Sequence, residues 1–106
     1  MPLLETRSRD HGLPILYVNL VGGQDELVFD GGSMAFDAQG EKGGQAPQFE
    51  AGLYPLDVFN EGGSCKPVGE VNADTLGQEA AAYSALVLGL QDYIGKNGFP
   101  SVVLGL

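Results

Sequence analysis

The chain has 106 residues, with 14 acidic against 5 basic side chains and a formal net charge of −9. That length allows one domain at most and excludes a complete two-domain enzyme; the acidic balance excludes nucleic acid and anionic lipid as partners, because both need clustered Lys and Arg. One cysteine, Cys65, and one histidine, His11, exclude an intramolecular disulfide and a Cys/His zinc cluster.

No apolar run approaches the length of about 20 residues that a membrane helix needs, and no basic region followed by an apolar stretch opens the chain. A soluble, unexported protein of the reducing cytoplasm is expected. Asp25, Glu26 and Asp30 lie close together but lack the alternating oxygen ligands and terminal Glu of a calcium loop. They read as a solvated or hydrogen-bonded turn, and no metal site is expected.

Residues 2–11 resemble the end of a helix, with Gly12 as its stop signal and Pro14 beyond. His11 then stands at the helix C-terminus as a capping or dipole partner. Pro14 to Val21 is a continuous apolar run, which suits a strand buried on both faces. Asn19 interrupts it and needs a buried partner.

Short strands are expected at Glu26 to Phe29 and Ser33 to Asp37, the second ending in a turn over Asp37 to Gly40. A third, Gln48 to Phe59, carries Pro55, which makes it an edge strand or two shorter pieces. The paired glycines Gly22-Gly23, Gly31-Gly32, Gly43-Gly44 and Gly62-Gly63 punctuate this half as turns. Residues 60–74 hold turn formers with little to bury and read as a connector.

Thr75 with Gln78 has the capping-box pattern, and Asp74 is a competing N-cap. The helix that follows carries Tyr83, Leu86, Val87, Leu90 and Ile94 at helical spacing, an apolar stripe expected to face the core. Tyr83 and Tyr93 read as packing residues of that helix, with the Tyr93 hydroxyl at the surface. Asn97-Gly98 ends the helix, and Pro100 to Leu106 reads as a buried strand opening toward a glycine, as nucleotide-binding α/β units present a strand to a phosphate loop.

The words of the sequence carry a resemblance. Leu13-Pro-Ile-Leu-Tyr-Val-Asn-Leu-Val-Gly-Gly-Gln-Asp-Glu-Leu-Val-Phe-Asp-Gly-Gly-Ser33 resembles the late segment of the glutaminase domain of glutamine-dependent NAD⁺ synthetases, a branch of the nitrilase superfamily. Tyr83 to Leu106 resembles the first helix and strand of the same enzymes' synthetase domain. The resemblance implies an α/β chain with three parts. Residues 1–59 would be the strand-rich end of a nitrilase-like αββα sandwich, 60–74 a connector, and 75–106 the first helix and strand of a Rossmann-like ATP-pyrophosphatase-type domain.

In that family a cysteine within Cys-Glu-Asp attacks glutamine, assisted by a Glu base and a Lys, all upstream of the segment present here. None of the three maps onto this chain, so no catalytic residue is expected. Downstream, family members continue from Gly-Leu into Ser-Gly-Gly-x-Asp-Ser, which would cradle the pyrophosphate of ATP. Only Gly105 and Leu106 carry over as the beginning of that loop. Asn19, Gln24, Asp25, Asp30 and Ser33 stand either as support for the glutaminase pocket or an interdomain contact, or as satisfied backbone partners at strand ends.

For the parent enzyme the resemblance implies an ATP- and Mg²⁺-dependent ligase, a glutamine amidotransferase that amidates nicotinate adenine dinucleotide to NAD⁺ with ammonia from glutamine. The isolated chain is expected to be inactive, to need no cofactor, to have the remainder of the parent polypeptide as its partner, and to self-associate through its uncovered faces. A stand-alone binding or assembly module of the same ancestry is the second reading. A small hydrolase using Cys65 ranks last, since Ser64 and Lys66 flank that thiol and no base is adjacent.

Overall fold

The computed structural model describes residues 2–106; Met1, the first residue of the expected 1–59 unit, lies outside the described residues. Helix α1 (Pro2–His11) begins on proline, whose fixed φ suits the first helical position, and ends where expected. Gly12 adopts φ 60°, its amide donates to Arg9 O at 3.3 Å, and the Leu13 amide donates to Ser8 O at 3.1 Å. That pair of bonds is a Schellman cap. His11 is the last helical residue.

The apolar run from Pro14 to Val21 is not one strand. It splits into β1 (Ile15–Tyr17) and β2 (Val21–Gln24), which belong to different sheets. Neither face is deeply covered, and Val18 is 84% exposed. The cause lies at Asn19, whose main chain and amide are committed to Ser33, Asp30 and Gly31 and so leave the ladder.

Strand β2 pairs antiparallel with β3 (Leu27–Asp30), from Val21 opposite Asp30 to Gln24 opposite Leu27. The exposed two-residue loop Asp25-Glu26 closes this hairpin, with Asp25 at φ 52°. This is the turn expected there. Strand β4 (Met34–Phe36) lies between β1 and β5 (Lys42–Gln45), both antiparallel to it. The turn between β4 and β5 is held by Asp37, whose Oδ1 accepts from the amides of Gln39 and Glu41 at 2.9 Å each.

Strand β5 was not expected, because Lys42-Gly-Gly-Gln45 has no apolar residue. Its glycines serve close packing instead: a Cβ on Gly43 would collide with the Pro67 carbonyl. Pro67 belongs to β7 (Ser64–Gly69), which pairs with β6 (Leu56–Glu61) through a Gly62-Gly63 turn with φ 60° and 87°. Positive φ at both turn residues matches the twist of a two-residue hairpin. Residues 60–74, read as a connector, therefore hold most of a hairpin and the fully buried Pro67. The strand expected over Gln48 to Phe59 begins only at Leu56, one residue past Pro55.

Helix α2 (Gln78–Lys96) starts later than the capping pattern implied, with Gly77 at its N-cap and no side-chain cap. Thr75 is elsewhere engaged, its hydroxyl accepting from Gln45 Nε2 at 3.1 Å. Gly98, at φ 67°, ends the helix as expected, with the Phe99 amide donating to Ile94 O at 3.1 Å. Residues 100–106 form no strand: they are exposed, without the ladder partner a strand requires.

The orientation of α2 also differs from expectation. Ala81, Ser84, Ala85, Leu88, Gly89 and Asp92 lie on its better-covered side, and α2 contacts β2 and β3. Tyr83, Leu86 and Leu90 face solvent. Small residues allow the closest approach to a glycine-bearing strand, so the bulky stripe turns outward.

Besides Pro67, the buried apolar side chains among the described residues include Ala35, Phe36 and Ala46, all around β4 and β5. Ser8 from α1 joins them, its hydroxyl donating to the Asp37 carbonyl. The radius of gyration is 17.3 Å, against about 13 Å for a compact domain of this length. The accessible surface is 7752 Å², where a compact monomer of 11 kDa would expose about 5,700 Å². The chain does not enclose a full core of its own.

Candidate functional site

Three of the five polar residues singled out in the sequence come together. Asn19 Nδ2 donates to Asp30 Oδ1 at 2.9 Å and to Gly31 O at 3.1 Å. The Asn19 amide donates to Ser33 Oγ at 3.0 Å, and Ser33 Oγ donates back to Asn19 O at 3.2 Å. Asn19, Asp30 and Ser33 are half-buried and Gly31 is buried, where an unmatched polar group is costly and a matched one fixes geometry.

The network reaches further than these three. Gln48 Nε2 donates to Asp30 Oδ2 at 3.0 Å, and Gln48 Oε1 accepts from the Leu76 amide at 2.9 Å, just before α2. Phe49 sits at φ 60°, a conformation its bulk disfavours, with its amide donating to Asp30 O at 2.8 Å. Gln48 carried no sequence signal beyond its polarity. The other two predicted residues stay apart: Gln24 is exposed at the end of β2, and Asp25 is in the open loop.

A second polar cluster surrounds the buried Gln45. Its main chain bridges to Val71 O and the Ala73 amide, while its side chain accepts from Lys42 Nζ at 2.8 Å and donates to Thr75 Oγ. This amide pins the segment after β7 to the central sheet. An open apolar groove of about 300 Å³ runs beside it, lined by Leu16, Val18, Met34, Tyr54, Leu56 and Val71 among others.

At the other side, α2 meets the β2–β3 hairpin. Asp92 Oδ2 accepts from the Gly23 amide at 2.7 Å, and Lys96 Nζ donates to Gly23 O at 2.6 Å. Asp92 and Lys96 are themselves 3.7 Å apart. Backbone contact is tight, a Cβ on Gly23 lying 3.2 Å from Gly89 Cα. Sequence reading missed both charged residues because it took the opposite face of α2 as the packed one.

Chemically, these clusters bind and orient main chain. Among the described residues, no group of three or more His, Cys, Asp and Glu side chains is placed to hold a metal ion. Cys65 lies half-buried in β7, opposite Asn60, and not in a loop. Gly105 and Leu106 lie in the exposed terminal segment, with open space around Gly105.

No family model matches the chain. A glutamine-dependent NAD(+) synthetase of Rhodobacter capsulatus is 41% identical over 100 residues, covering 94% of this chain and 18% of the relative. The synthetase of Xanthomonas campestris is 43% identical over 104 residues, covering 98% of this chain and 19% of its own length. Among solved structures, the glutamine-dependent NAD⁺ synthetase from Acinetobacter baumannii in complex with adenosine diphosphate superposes with a TM-score of 0.88 at 38% identity. The chain is homologous to one segment of these synthetases.

The match to the Acinetobacter synthetase covers 98% of this chain and 19% of that one, so it includes both the strand-rich part and α2. The chain spans about a fifth of the length of the curated synthetases it matches. No helix among the described residues is long and apolar enough to cross a membrane.

Proposed function

We propose that this chain is a segment of an ATP-dependent ligase that amidates nicotinate adenine dinucleotide to NAD⁺ with ammonia drawn from glutamine, and that it is inactive alone. The observation that carries this reading is the match at 38% identity and TM-score 0.88 over nearly the whole chain, to a fifth of a synthetase that binds adenosine diphosphate. The surface excess of about 2,000 Å² over a compact monomer supports it, since that much area suits a face covered by further polypeptide.

In this reading α1 to β5 are the end of a nitrilase-like sandwich, and α2 opens the Rossmann-like synthetase unit. The division at 1–59, 60–74 and 75–106 is kept, except that packing of β7 on β5 attaches much of the 60–74 segment to the first unit. Asn19, Asp30 and Ser33 support the glutaminase side by holding the chain between β1 and β4; among the described residues, Gln24 and Asp25 have no partner that gives them such a role. Gly105 and Leu106 would lead into the ATP loop, and Mg²⁺ would accompany ATP there. The cytoplasm is the proposed location.

The test is the polypeptide with its flanks. The gene is expected to supply Cys-Glu-Asp upstream of residue 1 and Ser-Gly-Gly-x-Asp-Ser downstream of Leu106, and the full product to form NAD⁺ from nicotinate adenine dinucleotide, ATP, Mg²⁺ and glutamine. The 106-residue chain alone is expected to release neither glutamate nor NAD⁺. Appreciable turnover by the isolated chain, or flanks without those motifs, would overturn the proposal.

A further inference from the structure

Helix α2 is fastened to the strand-rich part at both ends. Before its first turn, the Leu76 amide donates to Gln48 Oε1, and Gln48 in turn holds Asp30. In its last turns, Asp92 and Lys96 take the amide and the carbonyl of one residue, Gly23. These contacts span 69 and 73 residues of sequence.

The geometry at Gly23 follows from the hairpin. In an antiparallel pair, alternate residues point their main-chain groups away from the partner strand. Gly23, one residue before the loop-closing pair Gln24 and Leu27, turns its groups outward to α2. An acceptor and a donor one helical turn apart match that outward amide and carbonyl. The fit fixes the helix along its axis and about it.

Hydrophobic burial would have favoured docking α2 through Leu86 and Leu90, yet these face outward. The helix meets the hairpin through Gly89 and charged side chains instead, and the approach at Gly89 is close, since a Cβ there would lie 3.1 Å from Val28 Cγ2. A displacement of the hairpin therefore moves α2 and the apolar face it presents.

We propose that Asp92 and Lys96 are positioning residues that clasp α2 to the β2–β3 hairpin and so keep glutamine hydrolysis in step with amide formation. This inference rests on the function proposed above. It assigns the coupling to a joint that touches no reacting atom.

The experiment uses the full-length enzyme with Asp92→Ala, Asp92→Asn and Gly23→Ala. In Asp92→Ala and Gly23→Ala, glutamate released per NAD⁺ formed is expected to rise about threefold or more, while ammonia-driven NAD⁺ formation stays within about twofold of wild type. Asp92→Asn keeps an acceptor for the Gly23 amide and should restore most of the ratio. Amide exchange at Gly23 should quicken in Asp92→Ala, with that at Gly31 unchanged.

An unchanged ratio, a parallel loss of both activities, or unaltered Gly23 exchange would overturn the clasp. If Asp92→Ala does not accumulate as folded protein, Lys96→Met serves, with a smaller rise of about twofold expected and an unchanged ratio again counting against the proposal. A wild-type enzyme silent with both nitrogen sources would sink the functional reading itself, and Gly23 exchange would still decide whether the clasp exists.

Discussion

Asp30 holds two segments at once: Oδ1 accepts from Asn19 Nδ2 at 2.9 Å, and Oδ2 accepts from Gln48 Nε2 at 3.0 Å. Replacing it with alanine leaves both amides without their charged partner in a half-buried site. Asp30→Ala is expected to lower stability by about 2 kcal/mol, and Asp30→Asn by about 1 kcal/mol because its own NH₂ must face one of the two donors. Denaturant midpoints of the full-length protein, with unchanged slopes, check the order. Equal stability of all three proteins would remove the network from any supporting role.

Two glycines separate steric from conformational need. A Cβ on Gly43 would run into the Pro67 carbonyl, while nothing lies within 4 Å of one on Gly63, whose φ is 87°. Gly43→Ala must push β5 from β7 and is expected to cost about 3 kcal/mol; Gly63→Ala meets only the left-handed penalty of about 1 kcal/mol. Thermal midpoints that rank them the other way would contradict the packing of β7 on β5.

Local chemistry made part of this fold legible. Gly12 and Gly98 marked both helix ends because each needs positive φ, and Asn19 demanded a partner because amides rarely go unmatched. What stayed hidden depends on distant segments. Lys42-Gly-Gly-Gln45 has no strand pattern of its own; it pairs because β4 lies on one side and β7 packs close. Thr75 carried a capping signal, but Gln45, thirty residues earlier, takes its hydroxyl. The stripe on α2 gave the helix correctly and its orientation wrongly, since periodicity reports a face and not what covers it. Pro100 to Leu106 read as a strand, yet a strand exists only with a neighbour to bond.

Cys65 sits in β7 with its backbone opposite Asn60, and it is half-buried. In the synthetase proposed above, Cys65→Ala is expected to leave NAD⁺ formation from glutamine within about twofold of the unsubstituted protein, with a stability change under about 1 kcal/mol. Initial rates with glutamine and with ammonia check it. A loss of several orders of magnitude with glutamine alone would instead make Cys65 a nucleophile.

The outward face of α2 sets how the excised chain behaves. Leu86 and Leu90 are 74% and 61% exposed one turn apart, with Tyr83 and Tyr93 flanking them. At about 25 cal/mol per Å² of apolar surface, covering such a stripe stabilises an association by several kcal/mol. The 106-residue chain is therefore expected to self-associate at micromolar concentration in sedimentation velocity, and Leu86→Glu with Leu90→Glu to shift it toward monomer. In the full-length enzyme the same pair should reduce soluble yield, because each carboxylate would then be buried without a partner. A monomeric, cooperatively unfolding wild-type chain would show that the stripe needs no cover, and would count against the proposal that further polypeptide packs on this face of α2.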